Sequence, residues 1–251
     1  MRIYFVLASV VALVIGRAQA VGAPAAEVAP GSVVGSVYGK AVTAGEIGLK
    51  TPIDVGVQFD ARDKDRWEQM GRIAKAFAQP VIERFIKEQK IVATEKEIAS
   101  FQANWRKRHL ERLQKDQERL ATIKKELGET GITEQERAKL EKQRATVERI
   151  LAHSLRADAD NVADEFARTI IVNWKVEREL HRKFGGRVIF QQAGIEALDG
   201  RRSLYEKAEK DGALKLDDPG VRRMLYYYYT DMKHSEIPAD GLERPWFFAA
   251  E

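Results

Sequence analysis

The chain contains no cysteine among its 251 residues. That excludes a disulfide framework, a thiolate metal site, a Cys nucleophile and an N-terminal lipid-modified Cys. Histidine is also sparse, at 109, 153, 181 and 234, too scattered for a zinc motif defined by spacing. There is no Gly-rich phosphate loop, no G-x-S-x-G elbow and no H-E-x-x-H helix. Proline numbers only 7 while 32% of residues are charged, a combination that favours long solvated helices. Basic and acidic side chains nearly balance, 42 against 38, so the net +4 is no nucleic-acid signature. The length suffices for one or two domains with a buried core.

The one extended apolar run lies at the start. Arg2 forms a short positive region, Ile3 to Ile15 are apolar, and Ala18-Gln19-Ala20 is a small-x-small site. The run is shorter than the roughly 18–20 residues that span a membrane. Residues 1–20 are therefore predicted to be a signal peptide, cut between Ala20 and Val21, which implies export, most simply to a periplasm. Cleavage removes Arg2 and Arg17 and no acidic residue. No second long apolar run follows, so no integral membrane segment is expected in the mature chain.

Residues 21–31 are Ala/Pro/Gly-rich and predict a flexible leader. Val33 to Tyr38 suits a short strand and Gly39-Lys40 a turn. Thr43 and Glu46 then have the spacing of a capping box, predicting a helix start. Residues 51–63 read as loop. From Trp67 the apolar positions Met70, Ile73, Phe77, Val81 and Phe85 form a helical stripe, which Pro80 should kink near Gln79. Thr94 to Glu97 is a second capping box, opening a helix through Ile98, Phe101 and Trp105.

The chain then becomes highly charged. Leu113, Leu120 and Leu127 recur at heptad spacing, Gly128–Gly131 breaks the run, and Thr133 to Glu136 caps a second charged helix through Leu140, Val147, Leu151 and Leu155. Two such helices predict a projecting antiparallel hairpin with a thin apolar seam, each limb about 30 Å long. Trp105 and Leu155 are its natural base contacts. Beyond it, residues 161–184 form an amphipathic helix closed by Gly185-Gly186. Val188–Phe190 suits a strand, expected to pair with Val33–Tyr38, and helices follow at 196–210 and 219–232.

Candidate chemistry is thin. Asp158, Asp160, Asp164 and Glu165 resemble calcium ligands, but Ala163 and Thr169 stand where a calcium loop needs Gly and Glu. These acids suit a helix N-terminus instead. His153 and His181 lie on polar helix faces. Arg106, Lys107, Arg108 and Arg112 fit a solvated helix face laced with i,i+4 pairs. The run Tyr226–Tyr229 cannot occupy one helical face, so some of its rings meet solvent or another segment. No catalytic residue, cofactor site or metal site is assigned.

The stretch 32–105 resembles the N-terminal chaperone domain of SurA/PrsA/PpiC-type exported foldases. Val33-Val34 to Glu46 carries the likeness, as does Val81-Ile-Glu-Arg-Phe-Ile-Lys-Glu-Gln-Lys-Ile-Val-Ala-Thr-Glu-Lys-Glu-Ile98. Three departures stand out: Tyr38-Gly39 replaces an Asn-Gly turn, Lys90 occupies a position where Gly is common, and residues 51–66 add a longer loop. The parvulin isomerase domain that often accompanies this family is not recognised, because residues 156–184 read as helix.

The expected architecture is mostly α. It comprises a helical chaperone-like domain (32–105) with a small two-stranded β element, a hairpin arm (106–155), and a helical segment (156–251) closing on the first domain. The resemblance implies an ATP-independent chaperone, or peptide-binding protein, holding unfolded or extended clients in an apolar cradle. Phe77, Val81, Phe85, Trp105 and Tyr228 are the candidate peptide-binding residues. A divergent prolyl isomerase and a coiled-coil adaptor with one partner are the alternatives.

Overall fold

A computed structural model describes residues 27–54, 56, 63–156, 163–191, 194–243, 245 and 247–248. The signal peptide with its cleavage point, most of the leader, Asp158 and Asp160, and the side chains of His153 and Leu155 lie outside these described residues.

The architecture is mostly α, with two small three-stranded antiparallel sheets rather than one two-stranded element. Strand β1 (Val33–Val37) turns directly into β2 (Lys40–Thr43). The two-residue connection places Tyr38 and Gly39 at φ 50° and 78°. Both angles are positive, as in the hairpin turn whose twist matches the strands. The Thr43–Glu46 box forms: Glu46 accepts from the Thr43 N–H at 2.7 Å, and the Glu46 N–H reaches Thr43 Oγ1 at 3.4 Å. No helix follows it. One turn closes through the Leu49 N–H to Ala44 O, and Gly48, at φ 64°, redirects the chain.

Helix α1 (Lys64–Ile73) passes through a π-helical turn (Ala74–Ala78) into α2 (Gln79–Glu88). Pro80 explains the widening. It lacks an N–H and its ring crowds the preceding turn, and the Gln79 N–H reaches back five residues to Ala74 O. Helix α3 (Glu95–Leu127) and helix α4 (Glu134–Arg156) form the hairpin. Each begins in a capping box, with Glu97 on the Thr94 N–H at 2.8 Å and Glu136 on the Thr133 N–H at 2.9 Å. The seam consists of Ile123, Val147 and Leu151, flanked by Leu113, Leu120, Leu127 and Leu140. At about 1.5 Å per residue, α3 is about 50 Å long.

Helix α5 (Asp164–Phe184) ends at Gly185, and β3 (Val188–Gln191) and β4 (Gly194–Glu196) follow. Then come α6 (Leu198–Lys210), β5 (Leu214–Leu216), α7 (Pro219–Thr230), β6 (Glu236–Ile237) and the short α8 (Asp240–Glu243).

The expected pairing of Val33–Tyr38 with 187–192 is not found. Strand β1 does take a late strand, but it is β5, with Val37 opposite Leu214 and Gly35 opposite Leu216. Residues 188–191 are a strand, as read, and pair instead with β4 and β6. Packing decides between the two. Helices α6 and α7 place Leu204, Tyr205, Met224 and Leu225 in the same core as Val34 and Val37, and β5 lies between those helices. Glycine is required where β1 and β5 meet: a Cβ on Gly35 would stand 2.3 Å from Lys215 O and 2.9 Å from the Phe77 ring.

The main core joins β1, β2, α1, α2, α6 and α7 around Phe77, Ile73 and Tyr205. A second cluster lies where α3 meets α5, and the seam of the arm forms a third.

Candidate functional site

The second cluster is built from two helix faces. Ile98, Phe101 and Trp105 recur at helical spacing on α3, and Ala167, Ile171 and Trp174 do so on α5. The small Ala167 side chain allows the helices to close. Polar contacts on the flanks hold the pair in register. The Lys175 ammonium meets Glu97 at 2.6 Å and donates to Val92 O at 2.7 Å. Arg168 bonds Glu95 at 3.1 Å, and the Gln102 amide donates to Asp164 at 2.8 Å. Burial raises the Glu97 carboxyl, but the Lys175 ammonium and the Thr94 N–H and hydroxyl outweigh it, leaving its pKa below the usual value.

Aromatic rings fill the angle between the helices. Phe101 stacks on Trp105 at 5.9 Å, and Phe166 meets Trp105 edge-on at 5.7 Å. Into this angle the chain sends its own segment after α8. Phe247 lies 5.2 Å from the Phe101 ring and 5.9 Å from Trp174, and Phe248 lies 5.4 Å from Trp174. The Arg178 guanidinium covers Trp174 at 4.5 Å. One side chain addresses the segment's backbone, and another ties α5 to α8 beside it. The Asn104 amide donates to Phe247 O at 3.1 Å, and the Trp174 indole N–H to Leu242 O at 2.6 Å. An aromatic groove with a side-chain donor to a carbonyl oxygen can hold a peptide segment through its backbone, with rings seated alongside.

Of the sequence candidates, only Trp105 belongs to this groove. Phe77, Val81 and Phe85 are buried in the main core, packed under β1, α6 and α7, and so line no groove. The helical stripe that carries them marked a buried face, which core and groove share as a pattern. Tyr228 lies elsewhere, in a polar network.

That network is the second concentration of unusual chemistry. Glu177 accepts from the Ala197 N–H at 3.0 Å and from Arg201 Nε at 2.8 Å, with Arg201 Nη2 in close contact. Glu196 accepts from the Tyr228 hydroxyl at 2.9 Å, lies 3.5 Å from Arg201 Nε, and bonds the Gln191 amide. His234 Nε2 stands 2.7 Å from Tyr228 O. Burial pushes the Glu196 carboxyl up; Arg201 opposes this and Glu177 adds to it. Burial and the neighbouring Glu196 also raise the Tyr228 hydroxyl. One guanidinium thus bridges two buried carboxylates from α5 and β4, tying them to α6 and α7. Neither acid faces solvent, so the set works as a cross-link.

Two more tyrosines of the run are accounted for similarly. Tyr226 is buried and donates to Glu209 at 2.9 Å, while Tyr229 packs edge-on against Tyr205. Arg112 lies 4.0 Å from Asp116, one of the i,i+4 pairs expected along the arm. Among the described residues no group of His, Asp or Glu could hold a metal ion, and no helix is long and apolar enough to cross a membrane.

Sequence reasoning missed Asn104, Trp174, Phe247 and Phe248 as partners. The only available signal was the aromatic concentration in Pro245-Trp-Phe-Phe248, which carries no address for its target. No family model, curated protein or solved structure matches the chain.

Proposed function

We propose that the protein is an exported, ATP-independent chaperone or peptide-binding protein that holds extended client segments at the base of the arm. The observation that carries this reading is the groove between α3 and α5. There, the Asn104 amide donates to the Phe247 carbonyl while Phe101 and Trp174 receive the Phe247 ring and Trp174 also receives Phe248. A donor aimed at a backbone oxygen accepts any sequence, and ring contacts add affinity, a combination suited to unfolded chains. Phe166, 45% exposed against Trp105, extends the apolar surface beyond the groove.

The resemblance to the SurA/PrsA/PpiC-type chaperone domain gains support from two backbone angles. Tyr38 and Lys90, at φ 50° and 52°, are the non-glycine residues of positive φ among those described. They stand at the positions where the family carries Asn-Gly and Gly. Left-handed backbone is what those residue types serve.

The test is suppression of aggregation. Purified mature protein at severalfold excess should delay aggregation of an unrelated unfolded protein, and Trp105→Ala with Asn104→Ala should weaken the delay. An absence of any delay, together with one stoichiometric partner in a pull-down, would favour the adaptor. Clear cis–trans isomerisation of a Pro-containing peptide would establish the enzyme instead.

A further inference from the structure

We infer that the α3–α5 groove selects turn-forming segments bearing two adjacent aromatic side chains, and that the segment carrying Phe247 and Phe248 is its intramolecular occupant, which a client must displace. The inference rests on the peptide-binding reading above and adds its substrate class and its regulation.

The selectivity follows from how the groove divides its contacts. The Asn104 amide meets a main-chain oxygen, which every residue offers, so it cannot distinguish sequences. Discrimination falls to the rings. Phe247 is 4% exposed and lies against both Phe101 and Trp174, while the next residue, Phe248, sits on Trp174. Phe247 and Phe248 themselves meet edge-on at 4.9 Å, so consecutive rings enter as one unit. Trp174 serves both, and its indole is held by Arg178 at 4.5 Å and by the bond to Leu242 O.

The occupant is docked, not woven in. Among the described residues Pro245, Phe247 and Phe248 pair with no strand, and the backbone bond they make, Phe248 N–H to Pro245 O at 3.1 Å, is internal. It can therefore leave without breaking a sheet ladder or a helix. What holds it is what would hold a client: ring contacts and the Asn104 amide. A short tether supplies a local concentration on the order of millimolar. For an intrinsic Kd of about 0.1 mM, a client of similar affinity then binds the intact chain roughly tenfold more weakly than it binds an emptied groove.

The probe is a fluorescein-labelled synthetic peptide of residues 242–251, with a control peptide in which both Phe are Ser. Anisotropy titrations compare the wild-type full chain with Phe247→Ser/Phe248→Ser, with circular dichroism checking that both are folded. The double variant should bind the probe about tenfold more tightly than wild type, adding Asn104→Ala should weaken it again, and the control peptide should not bind. Equal affinity in both chains, or equal binding of the control peptide, overturns the inference. Hydrogen exchange on the wild-type chain gives a readout independent of the variant's folding. An unfolded client should speed exchange at the Phe248 amide, and an unchanged rate overturns self-occupancy. If unfolded polypeptide binds while these signatures fail, only the inference falls; if neither chain binds any polypeptide, the peptide-binding reading falls with it.

Discussion

Replacing Arg201 with Met keeps most of the aliphatic stem but removes the one cation between Glu177 and Glu196. Those carboxylates have side-chain exposures of 5% and 8%, and Arg201 itself is 25% exposed, so water replaces the lost partner poorly. Burial alone would lower the pKa of the Arg201 guanidinium, but Glu177 holds it well above its usual value, so the cation is present at any working pH. Breaking a buried ion pair from one side costs about 3–5 kcal/mol, because a charge is left without compensation. Here two acids are stranded, and the upper part of that range is expected. For a chain of this size each kcal/mol lowers Tm by about 2–4 °C, so R201M should melt roughly 10–20 °C below wild type at pH 7.5. The stranded acids can escape by taking up protons. The deficit should therefore shrink as pH falls toward 5, and E177Q in the R201M background should recover part of it at neutral pH. Thermal melts by circular dichroism at both pH values measure this. A loss under about 1 kcal/mol, the range of an exposed ion pair, or a deficit equal at both pH values, would refute the assignment of Arg201 as a buried bridge.

Glu196 has its own pH signature. Its carboxyl is raised in the folded state, chiefly by burial, so the stability it contributes is full below the ordinary carboxylate pKa and is lost as pH rises through the raised value. E196Q cannot ionise and still accepts from Tyr228. It should flatten that decline, and urea midpoints from pH 4.5 to 7.5 that keep the wild-type slope would count against it. Lys90→Gly should stabilise by about 0.5–1 kcal/mol, the excess of relieved left-handed strain over the entropy glycine adds to the unfolded chain. A lowered urea midpoint would contradict this. Deleting 108–152 and bridging with a short Gly/Ser linker should leave the body folded with Tm shifted by a few degrees, since the seam cluster is separate from the other two cores. Chaperone activity should fall if the arm walls the groove, whereas full activity would remove the arm from the site.

The features that sequence alone determined are those whose physics is short-ranged. The capping boxes at Thr43, Thr94 and Thr133 form because partners three residues apart meet wherever the chain turns into that geometry. The disturbance at Pro80 follows from a missing N–H, and the arm from leucines that return to one helix face every two turns. Even among the boxes, Thr43–Glu46 formed without its helix, because Gly48 and the packing of Ile47 and Leu49 stop the chain after one turn. Tertiary structure decided everything that depends on which apolar face meets which. A stripe such as Phe77–Val81–Phe85 is the same in sequence whether it fills a core or lines a groove, and only the arrival of β1, α6 and α7 makes it core. Leu214–Leu216 wins the edge of β1 over Val188–Gln191 because the helices on either side of β5 share β1's core, a contact made across about 180 residues. Arg201 finds Glu177 and Phe247 finds Asn104 in the same way, across 24 and 143 positions. Periodicity carries no record of such distances. Burial free energy selects the partner only when all the faces compete at once.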